Sequence, residues 1–409
     1  MNQPRSLPTF GRSLTQTALM LLCATALGIS ACGGGGGGSG DGTLGNERPL
    51  DSSQAPSTSG QVTVLNAQLN APWGLAFLPG GNMLVTEKAG TVALVNNTGA
   101  NVLGRLAGPA LVDAAGQGGL LDIALDPDFA NTRWVFLSFA ESGTGGSGTA
   151  LARGKLNTAF NGWEQSPQAI WRQAPKVAGT IHFGSRIAFG TDGTLYITAG
   201  ERGVEANTGS ARTDASGVQN AANSIGKVMR MDRNGGNVSV FSTGHRNPQG
   251  AAFAPGSNDL WITEHGPLGG DELNRLTAGG NYGWPVKSYG CDYSATPGEA
   301  CRIGGGVHAP TYIEPKAIWV PTSTAPSGLA FYTGSAFPEW QGNVFSGALA
   351  GMTLWRTVLD GNGTAVSRQE IASVKALNAR IRDVRQGPDG NLYLLTDGSS
   401  SGRIVRLAP

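Results

Sequence analysis

Short apolar and polar runs alternate along most of the chain, and one pattern occurs six times. In each copy an apolar segment leads into a turn rich in Pro, Asp, Asn or Gly, and a second segment rich in β-branched and aromatic residues follows. Long helical periodicity is absent, so the pattern predicts strands joined by tight turns. The copies cover residues 72–87, 119–129 with 134–139, 186–198, 248–263, 326–331 with 342–346, and 381–396.

Six short antiparallel sheets that repeat radially form a β-propeller. A β-sandwich would also give many short strands, but it would not regenerate the same strand-turn-strand unit six times. We therefore expect an all-β fold, a six-bladed β-propeller of four-stranded antiparallel sheets, over residues 61–409. The ring should close where residues 61–65 pair with the last strand, residues 403–407, because this pairing hides both sheet edges.

The first 60 residues have a different character. Residues 1–31 have the organisation of a secretory signal, in which Arg5 and Arg12 precede an apolar run that is too short to span a membrane as a mature helix. Small residues before Cys32 resemble the processing site of bacterial lipoproteins, with plain signal-peptidase cleavage as the alternative. Residues 32–60 have the Gly/Ser-rich composition of a flexible tether. These features predict an exported, periplasmic protein that is anchored to a membrane through a lipid on Cys32.

Composition and charge exclude several classes of function. Of 409 residues, 29 are Lys or Arg and 28 are Asp or Glu, so there is no electrostatic basis for a nucleic-acid footprint or a polybasic membrane patch. The hydrophobic fraction of 40% is enough for a packed core. In an exported protein we expect Cys291 and Cys301 to form a disulfide. A zinc site is the weaker alternative, because two Cys without a nearby His are an incomplete ligand set.

Polar residues that precede the first strand of several copies form the candidate site, because loops of successive blades meet over the channel of a propeller. His182 stands ahead of the third copy, and Arg246 and Asn247 stand ahead of the fourth. Arg380 and Arg382 alternate along an extended segment and so face the same side. We interpret them as an uncompensated cationic pair that faces the channel, which suggests an anionic ligand.

Two further segments add neutral and acidic groups. Gln117 precedes the second copy, and carboxylates adjoin the Gly266-Pro267 turn, whose carbonyls could bind a hard cation such as calcium. Each candidate has an ordinary alternative: a single His is more often a hydrogen-bonded turn residue than a base, and Asp271 and Glu272 could simply be solvated. The convergence of residues from non-adjacent repeats favours a binding channel.

In these same segments the chain resembles the soluble quinoprotein sugar dehydrogenases, in particular the aldose sugar dehydrogenases that use pyrroloquinoline quinone (PQQ). The resemblance spans about residues 62–407. Its most specific stretches are residues 244–250, 264–267 with 271–272, 279–285 and 380–384. It implies a six-bladed propeller that oxidises the anomeric C1 of aldose sugars to lactones and passes electrons to an external acceptor.

The resemblance also implies a role for each matching position. His182 would be the general base that takes the proton of the C1 hydroxyl while hydride moves to PQQ, and Glu201 would orient it. Arg246 and Asn247 would address the quinone oxygens. The remaining matches are Arg380 and Arg382 for the carboxylates of PQQ, Gln117 and Tyr293 as neighbours of the cofactor or sugar, the carbonyls of Gly266 and Pro267 for a calcium ion, and Glu272 with Tyr282 for a second, structural calcium.

Two positions depart from the family pattern, and two other functions stay open. Ala350 stands where some members have a Lys that contacts PQQ, which predicts weaker binding of the cofactor. Ile181 stands where glucose-specific relatives have an acid, so broad aldose use is expected. The alternatives are a non-catalytic propeller that binds carbohydrate or another ligand, and a calcium-dependent lactonase-like hydrolase. The sequence is compatible with a monomer or a homodimer.

Overall fold

Six small sheets form a six-bladed β-propeller in the computed structural model, which describes residues 48–203, 217–398 and 401–409. The predicted fold class is therefore confirmed. The predicted signal peptide, the lipid site at Cys32 and most of the tether lie outside the described residues. Within the described residues, no helix has the length and apolar character that a membrane crossing requires.

The strands follow the repeat, with β1 (Gln54–Ser57) and β2 (Gln61–Leu69) ahead of it. Blade 1 contains β3 (Pro72–Phe77), β4 (Met83–Glu87), β5 (Thr91–Val95) and β6 (Val102–Ala107). Blade 2 contains β7 (Leu120–Leu125), β8 (Trp134–Gly143), β9 (Gly146–Leu156) and β10 (Trp163–Arg172). Blade 3 contains β11 (Gly184–Phe189), β12 (Leu195–Ala199), β13 (Lys227–Met231) and β14 (Ser239–Thr243).

Blade 4 contains β15 (Pro248–Phe253), β16 (Leu260–Glu264), β17 (Asp271–Arg275) and, after the two-residue β18 (Gly280–Asn281), β19 (Ala317–Trp319). Blade 5 contains β20 (Pro326–Phe331), β21 (Val344–Ala348), β22 (Thr353–Leu359) and β23 (Ala365–Ile371). Blade 6 contains β24 (Ile381–Gln386), β25 (Leu392–Thr396) and β26 (Gly402–Ala408) together with β2. The described helices are short: α1 (Phe129–Thr132), α2 (Ala372–Lys375) and the 3₁₀ turns Glu299–Cys301, Ile303–Gly305 and Pro338–Trp340.

The first strand of each repeat lines the channel, and each such strand packs beside that of the next blade around the whole ring. Glycine makes this close approach possible in blades 1 and 4. A Cβ on Gly74 would lie 2.7 Å from a carboxylate oxygen of Asp122, and a Cβ on Gly250 would lie 2.4 Å from the Ser327 carbonyl. These glycines therefore explain the Trp-Gly-Leu and Gln-Gly-Ala patterns of the inner strands.

The ring closes as the sequence predicts. Strands β2 and β26 pair antiparallel, with Val62 opposite Leu407 and Val64 opposite Val405. Strand β2, near the start of the described chain, thus completes the four-stranded sheet that contains the last three strands of the chain. The predicted disulfide is also present, since Cys291 and Cys301 are bonded with their Cα atoms 5.2 Å apart.

Two sheets differ from the predicted four strands because each gains a parallel fifth strand. Strand β1 pairs with β23 of blade 5, and β18 pairs with β14 of blade 3. Leu50 also forms an isolated bridge with Ala317. Strand pairing therefore begins ahead of residue 61, within the segment that the sequence analysis describes as a tether. The physical reason is that the outer edges of these blades offer unpaired backbone groups that a short segment can satisfy.

Candidate active site

His182 and Glu201 meet at one end of a single hairpin. His182 lies in the loop that leads into β11, and Glu201 follows β12, the strand that pairs with β11. His182 Nδ1 lies 2.7 Å and 2.8 Å from the two carboxylate oxygens of Glu201. Both side chains are buried. The structure thus places the two predicted residues in direct contact.

The contact with Glu201 decides which nitrogen of His182 can accept a proton. An ionised carboxylate only accepts hydrogen bonds, so Nδ1 carries the hydrogen and Nε2 of the neutral ring is the acceptor. Burial lowers the pKa of His182 below its ordinary value of 6.5, the charge of Glu201 opposes this shift, and the nearby charge of Arg246 lowers the pKa further. His182 is therefore neutral at neutral pH and has a basic nitrogen.

Neighbouring loops hold His182 in an uncommon backbone conformation. Its φ angle is +55°, in the left-handed region that residues with a Cβ seldom adopt. The His182 N–H donates to Gln117 Oε1 at 2.9 Å. Arg202 donates to the carbonyls of Gly179 and Ile181, which lie three residues and one residue before His182 in the chain. These contacts fix the position of the ring, so that Gln117 serves the predicted site through the main chain of His182.

The loop that leads into β15 supplies Arg246 and Asn247. Asn247 Oδ1 accepts a hydrogen bond from the Gly184 N–H at 3.1 Å, which joins the inner strands of blades 3 and 4. The carbonyl of Arg246 accepts from the Glu201 N–H at 2.9 Å. Arg246 Nη2 donates to Tyr293 Oη at 2.9 Å, so the predicted neighbour Tyr293 also reaches the site.

His265, which the sequence analysis does not single out as a site residue, lies within this group. The main-chain N–H of His265 donates to the Asn247 carbonyl at 3.2 Å. Burial takes the pKa of His265 well below its ordinary value, and the charges of Arg246 and Arg382 act in the same direction. His265 is therefore a neutral imidazole among the charged groups of the site. The signal in the sequence is a His directly after a strand of the fourth repeat.

The prediction that Arg380 and Arg382 form an uncompensated pair is wrong, because the carboxylate of Asp397 contacts both of them. Asp397 Oδ2 lies 2.9 Å from Arg380 Nε and 3.4 Å from Arg382 Nη2. Burial would raise the pKa of Asp397, but the charge of Arg382 and the hydrogen bond and charge of Arg380 lower it below its ordinary value. The two arginines do share a face, and one carboxylate between them leaves the group with a net positive charge. Asp397 directly follows β25, the partner strand of β24, and this position is the signal that was missed.

A second set of charges lies on the inner strands themselves. We call it the axial charge cycle, formed by Asp122, Arg186, Asp383 and Arg385. Arg186 Nη1 lies 2.9 Å from Asp122 Oδ1 and 2.9 Å from Asp383 Oδ1. Arg385 closes the cycle, with Nη2 2.6 Å from Asp122 Oδ1 and Nε 2.8 Å from Asp383 Oδ2. The cycle joins blades 2, 3 and 6 across the channel.

Comparison with known proteins places the chain in a family. The sequence profile described as Glucose / Sorbosone dehydrogenase matches residues 69–406. The chain belongs to the glucose/sorbosone dehydrogenase family.

Relatives of this glucose/sorbosone dehydrogenase chain include bacterial proteins named as aldose sugar dehydrogenases. It is 38% identical over 372 residues to the aldose sugar dehydrogenase YliI of Escherichia coli (strain K12), a match that covers 87% of this chain and 94% of that protein. The crystal structure of the soluble aldose sugar dehydrogenase from Escherichia coli in the apo-form is similar with a TM-score of 0.76 at 36% identity, over 86% of this chain and 100% of that chain. The PQQ-bound aldose sugar dehydrogenase from Streptomyces coelicolor is similar with a TM-score of 0.65 at 31% identity, over 87% and 99% of the two chains.

In this member of the glucose/sorbosone dehydrogenase family, the loop after β16 brings main-chain carbonyls to the site. The Gly266 N–H donates to Asp271 Oδ1 at 2.8 Å, and the Gly266 carbonyl accepts from Arg246 Nη1 at 2.7 Å. A Cβ on Gly266 would lie 2.3 Å from the Gly270 carbonyl, so only glycine fits this turn. Pro267 follows and is also buried. Carbonyl oxygens are ligands that hard cations accept, so the donor chemistry of this loop fits calcium.

The other predicted metal residues, Glu272 and Tyr282, line one small cavity of about 10 Å³ together with Glu264. Glu272 Oε2 accepts from Asn274 Nδ2 at 2.9 Å, and Tyr282 Oη donates to the Arg275 carbonyl at 2.8 Å. Burial and the charge of Glu264 raise the pKa of Glu272 well above its ordinary value. In the part of the chain that the structure describes, no group of three or more His, Cys, Asp or Glu side chains is arranged to hold a metal ion. The structural calcium stays a prediction.

The two departures from the family pattern lie at the edges of the site. Ala350 is exposed after β21, next to Leu349, whose carbonyl accepts from Arg380 Nη1 at 3.4 Å. A residue at position 350 is therefore a neighbour of the arginine pair. Ile181 lies directly before His182, and its carbonyl is held by Arg202.

Proposed function

We propose that this protein is a PQQ-dependent dehydrogenase that oxidises aldose sugars at C1 to lactones. The observation that carries the proposal is the neutral His182, held at Nδ1 by Glu201, in one site with the cationic groups of Arg246 and Arg382. Such a base beside an anion-binding surface suits a reaction in which a sugar hydroxyl loses its proton next to a carboxylated cofactor. The aldose sugar dehydrogenase YliI and the PQQ-bound relative support the same activity.

The task of His182 would be to accept the proton of the C1 hydroxyl at Nε2. Glu201 would keep the ring in the required tautomer and stabilise the positive charge that the ring gains. The positive φ angle of His182 and the bond from its N–H to Gln117 would aim Nε2 at one point in the channel. Proton removal of this kind contributes about 10²–10⁴-fold to a rate.

The cationic residues would bind and orient the cofactor. Arg380 and Arg382 would hold its carboxylates, for which the planar donor fork of a guanidinium is suited. Arg246 and Asn247 would address its quinone oxygens, with Tyr293 beside Arg246. When bound, PQQ would supply the redox chemistry: it would take up the hydride from C1 of the sugar and pass the electrons on to an external acceptor.

Calcium belongs to this proposal as well. The carbonyls of Gly266 and Pro267 would bind one ion next to the cofactor, and Glu272 with Tyr282 would bind a second, structural ion. The support is the oxygen chemistry of these groups and their burial. The Gly266 carbonyl would be shared between the ion and Arg246, which donates to it here.

The aliphatic side chain of Ile181 beside the base supports broad aldose use. An acidic side chain at this position would form hydrogen bonds with one arrangement of sugar hydroxyls and so favour the sugars that have it. An aliphatic side chain forms no hydrogen bond to any of them. We also propose that the protein is exported and held to a membrane through Cys32, on the basis of its first 32 residues.

Reconstitution tests the proposed activity. The purified protein, freed of metal with a chelator, is titrated with PQQ and calcium, and reduction of an electron-accepting dye is followed with several aldoses. We expect reduction that requires both PQQ and an aldose, with the aldonolactone as product. A polyol without an anomeric hydroxyl, such as sorbitol, is the matched negative substrate. Absence of PQQ-dependent reduction with every aldose would contradict the proposal and favour a binding function.

A further inference from the structure

One carboxylate, that of Asp397, occupies the arginine pair that the proposed function assigns to the cofactor. The same oxygen, Oδ2, contacts both Arg380 and Arg382. About a quarter of the Asp397 side chain is exposed, at 27%, so the carboxylate is also open to the solvent side of the site. Asp397 therefore stands where the carboxylate of a ligand would have to bind.

Arg382 does not depend on Asp397 for its position. Its Nη1 donates to Gln249 Oε1 at 2.8 Å, and its guanidinium lies 5.7 Å from the centre of the Trp73 ring. Only 12% of its side chain is exposed. Its Nε is buried and has no hydrogen-bond partner among the described residues. Arg382 is thus a fixed donor with unused capacity for an anion.

Arg380 is the movable member of the pair. Its side chain is 48% exposed, and besides the ion pair with Asp397 it donates a long hydrogen bond to the Leu349 carbonyl, at 3.4 Å. A long charged side chain at this exposure can exchange one carboxylate for another at small cost. The pair therefore combines a fixed arginine with one that can turn to a ligand.

We propose that Asp397 is an internal competitor for the ligand carboxylates at Arg380 and Arg382, and so sets the affinity and release of the cofactor. This inference rests on the proposed function. An incoming carboxylate must replace Asp397 as the partner of Arg380 and then remains beside its negative charge. Like charges that share one pair of arginines in a partly solvated site oppose each other, and we expect this repulsion to cost roughly five- to tenfold in affinity. Loss of the charge of Asp397 should therefore strengthen binding.

The test is the dissociation constant of PQQ for Asp397→Asn, measured by titration at fixed calcium and low salt. Asparagine keeps the size of the side chain and an oxygen that can accept from Arg380. We expect the variant to bind PQQ about five- to tenfold more tightly than the wild type and to release it more slowly. The advantage should shrink as salt is added, because screening weakens the repulsion that the substitution removes.

The matched control is Asp389→Asn at the other end of the same hairpin. Asp389 bonds to Asn391 and Tyr393, away from the arginine pair. We expect its PQQ affinity to equal that of the wild type. Weaker or unchanged binding by folded Asp397→Asn, judged by circular dichroism, would overturn the proposal and make Asp397 a positioning residue for Arg380.

A second probe separates this inference from the proposed function. Benzene-1,2,4-tricarboxylate offers aromatic carboxylates without a quinone, and its binding can be followed by calorimetry. If neither the wild type nor the variant binds PQQ, the proposed function fails. Tighter binding of the tricarboxylate by Asp397→Asn would then still support competition at the arginine pair, and equal or weaker binding would overturn it.

Discussion

Two buried charged groups in this propeller differ in the balance of their positive and negative charges. In the axial charge cycle each carboxylate contacts two guanidinium groups and each guanidinium contacts two carboxylates. In the proposed catalytic group, formed by His182, Glu201, Arg246, His265 and Arg382, two arginines face the single carboxylate of Glu201. Both groups contain buried atoms without a hydrogen-bond partner among the described residues, Arg186 Nη2 and Asp383 Oδ1 in the cycle and Arg246 Nε, His265 Nε2 and Arg382 Nε in the catalytic group.

This difference in charge balance suggests that one group stabilises the fold and that the other binds a ligand. A closed cycle of opposite charges joins three blades and has no need of a ligand, because its charges neutralise one another. The catalytic group carries more positive than negative charge and keeps donors that a bound anion would satisfy. Burial of charge alone therefore does not distinguish the candidate site from the axial charge cycle, whereas the excess of positive charge does.

The largest expected effect is on turnover, from Glu201→Gln. The amide can donate to Nδ1 of His182, so Nε2 would carry the hydrogen and could no longer accept the proton of the sugar. We expect the turnover number of the PQQ-loaded protein to fall about 10³- to 10⁴-fold, with little change in PQQ affinity. Glu164→Gln, at an exposed acid that contacts Lys155 and Arg133, is the control and should keep full turnover. A Glu201→Gln protein with normal turnover would remove Glu201 from the catalytic group.

The next effect is on stability, from Asp122→Asn. The substitution leaves Arg186 and Arg385 with one carboxylate in place of two. Loss of one partner of a buried ion pair typically lowers the free energy of unfolding by about 3–5 kcal/mol. We expect a loss of about 3 kcal/mol in the free energy of unfolding by urea, and turnover per folded molecule within a few fold of wild type. Asp128→Asn, at an exposed turn of the same blade, should change stability by less than about 0.5 kcal/mol. A stable but inactive Asp122→Asn protein would show that the cycle is part of the catalytic group.

A smaller effect is the dependence of turnover on pH. Burial and the charge of Arg246 lower the pKa of His182 against the opposing charge of Glu201, so its neutral form persists below the ordinary value of 6.5. We expect kcat/KM to be flat between about pH 7 and 8 and to fall about tenfold per pH unit on the acid side, with its midpoint below 6.5. A steady-state pH profile checks this, with Glu164→Gln as a control that should not move the midpoint. A midpoint above 6.5 would mean that Glu201 outweighs burial.

Much of the fold and part of the site could be predicted from the sequence. Six copies of one unit predict the propeller, and the apolar strands at residues 61–65 and 403–407 predict its closure. Loop residues ahead of the inner strands predict His182 and Arg246. Local sequence cannot show the partner of a charge when that partner comes from another strand or blade, as Asp397 does for Arg380. For the same reason Asp122 resembles an ordinary polar position in an apolar strand, although its place between apolar neighbours is a signal of a buried ion pair.

The central claim is that His182 acts as the base in a site that binds PQQ independently of it. The most direct measurement is PQQ affinity and turnover on the same sample of His182→Ala, loaded with PQQ and calcium and given glucose as the aldose. We predict a dissociation constant for PQQ within about threefold of wild type and turnover reduced at least about 10³-fold. Turnover within tenfold of wild type in the PQQ-loaded variant would contradict the account.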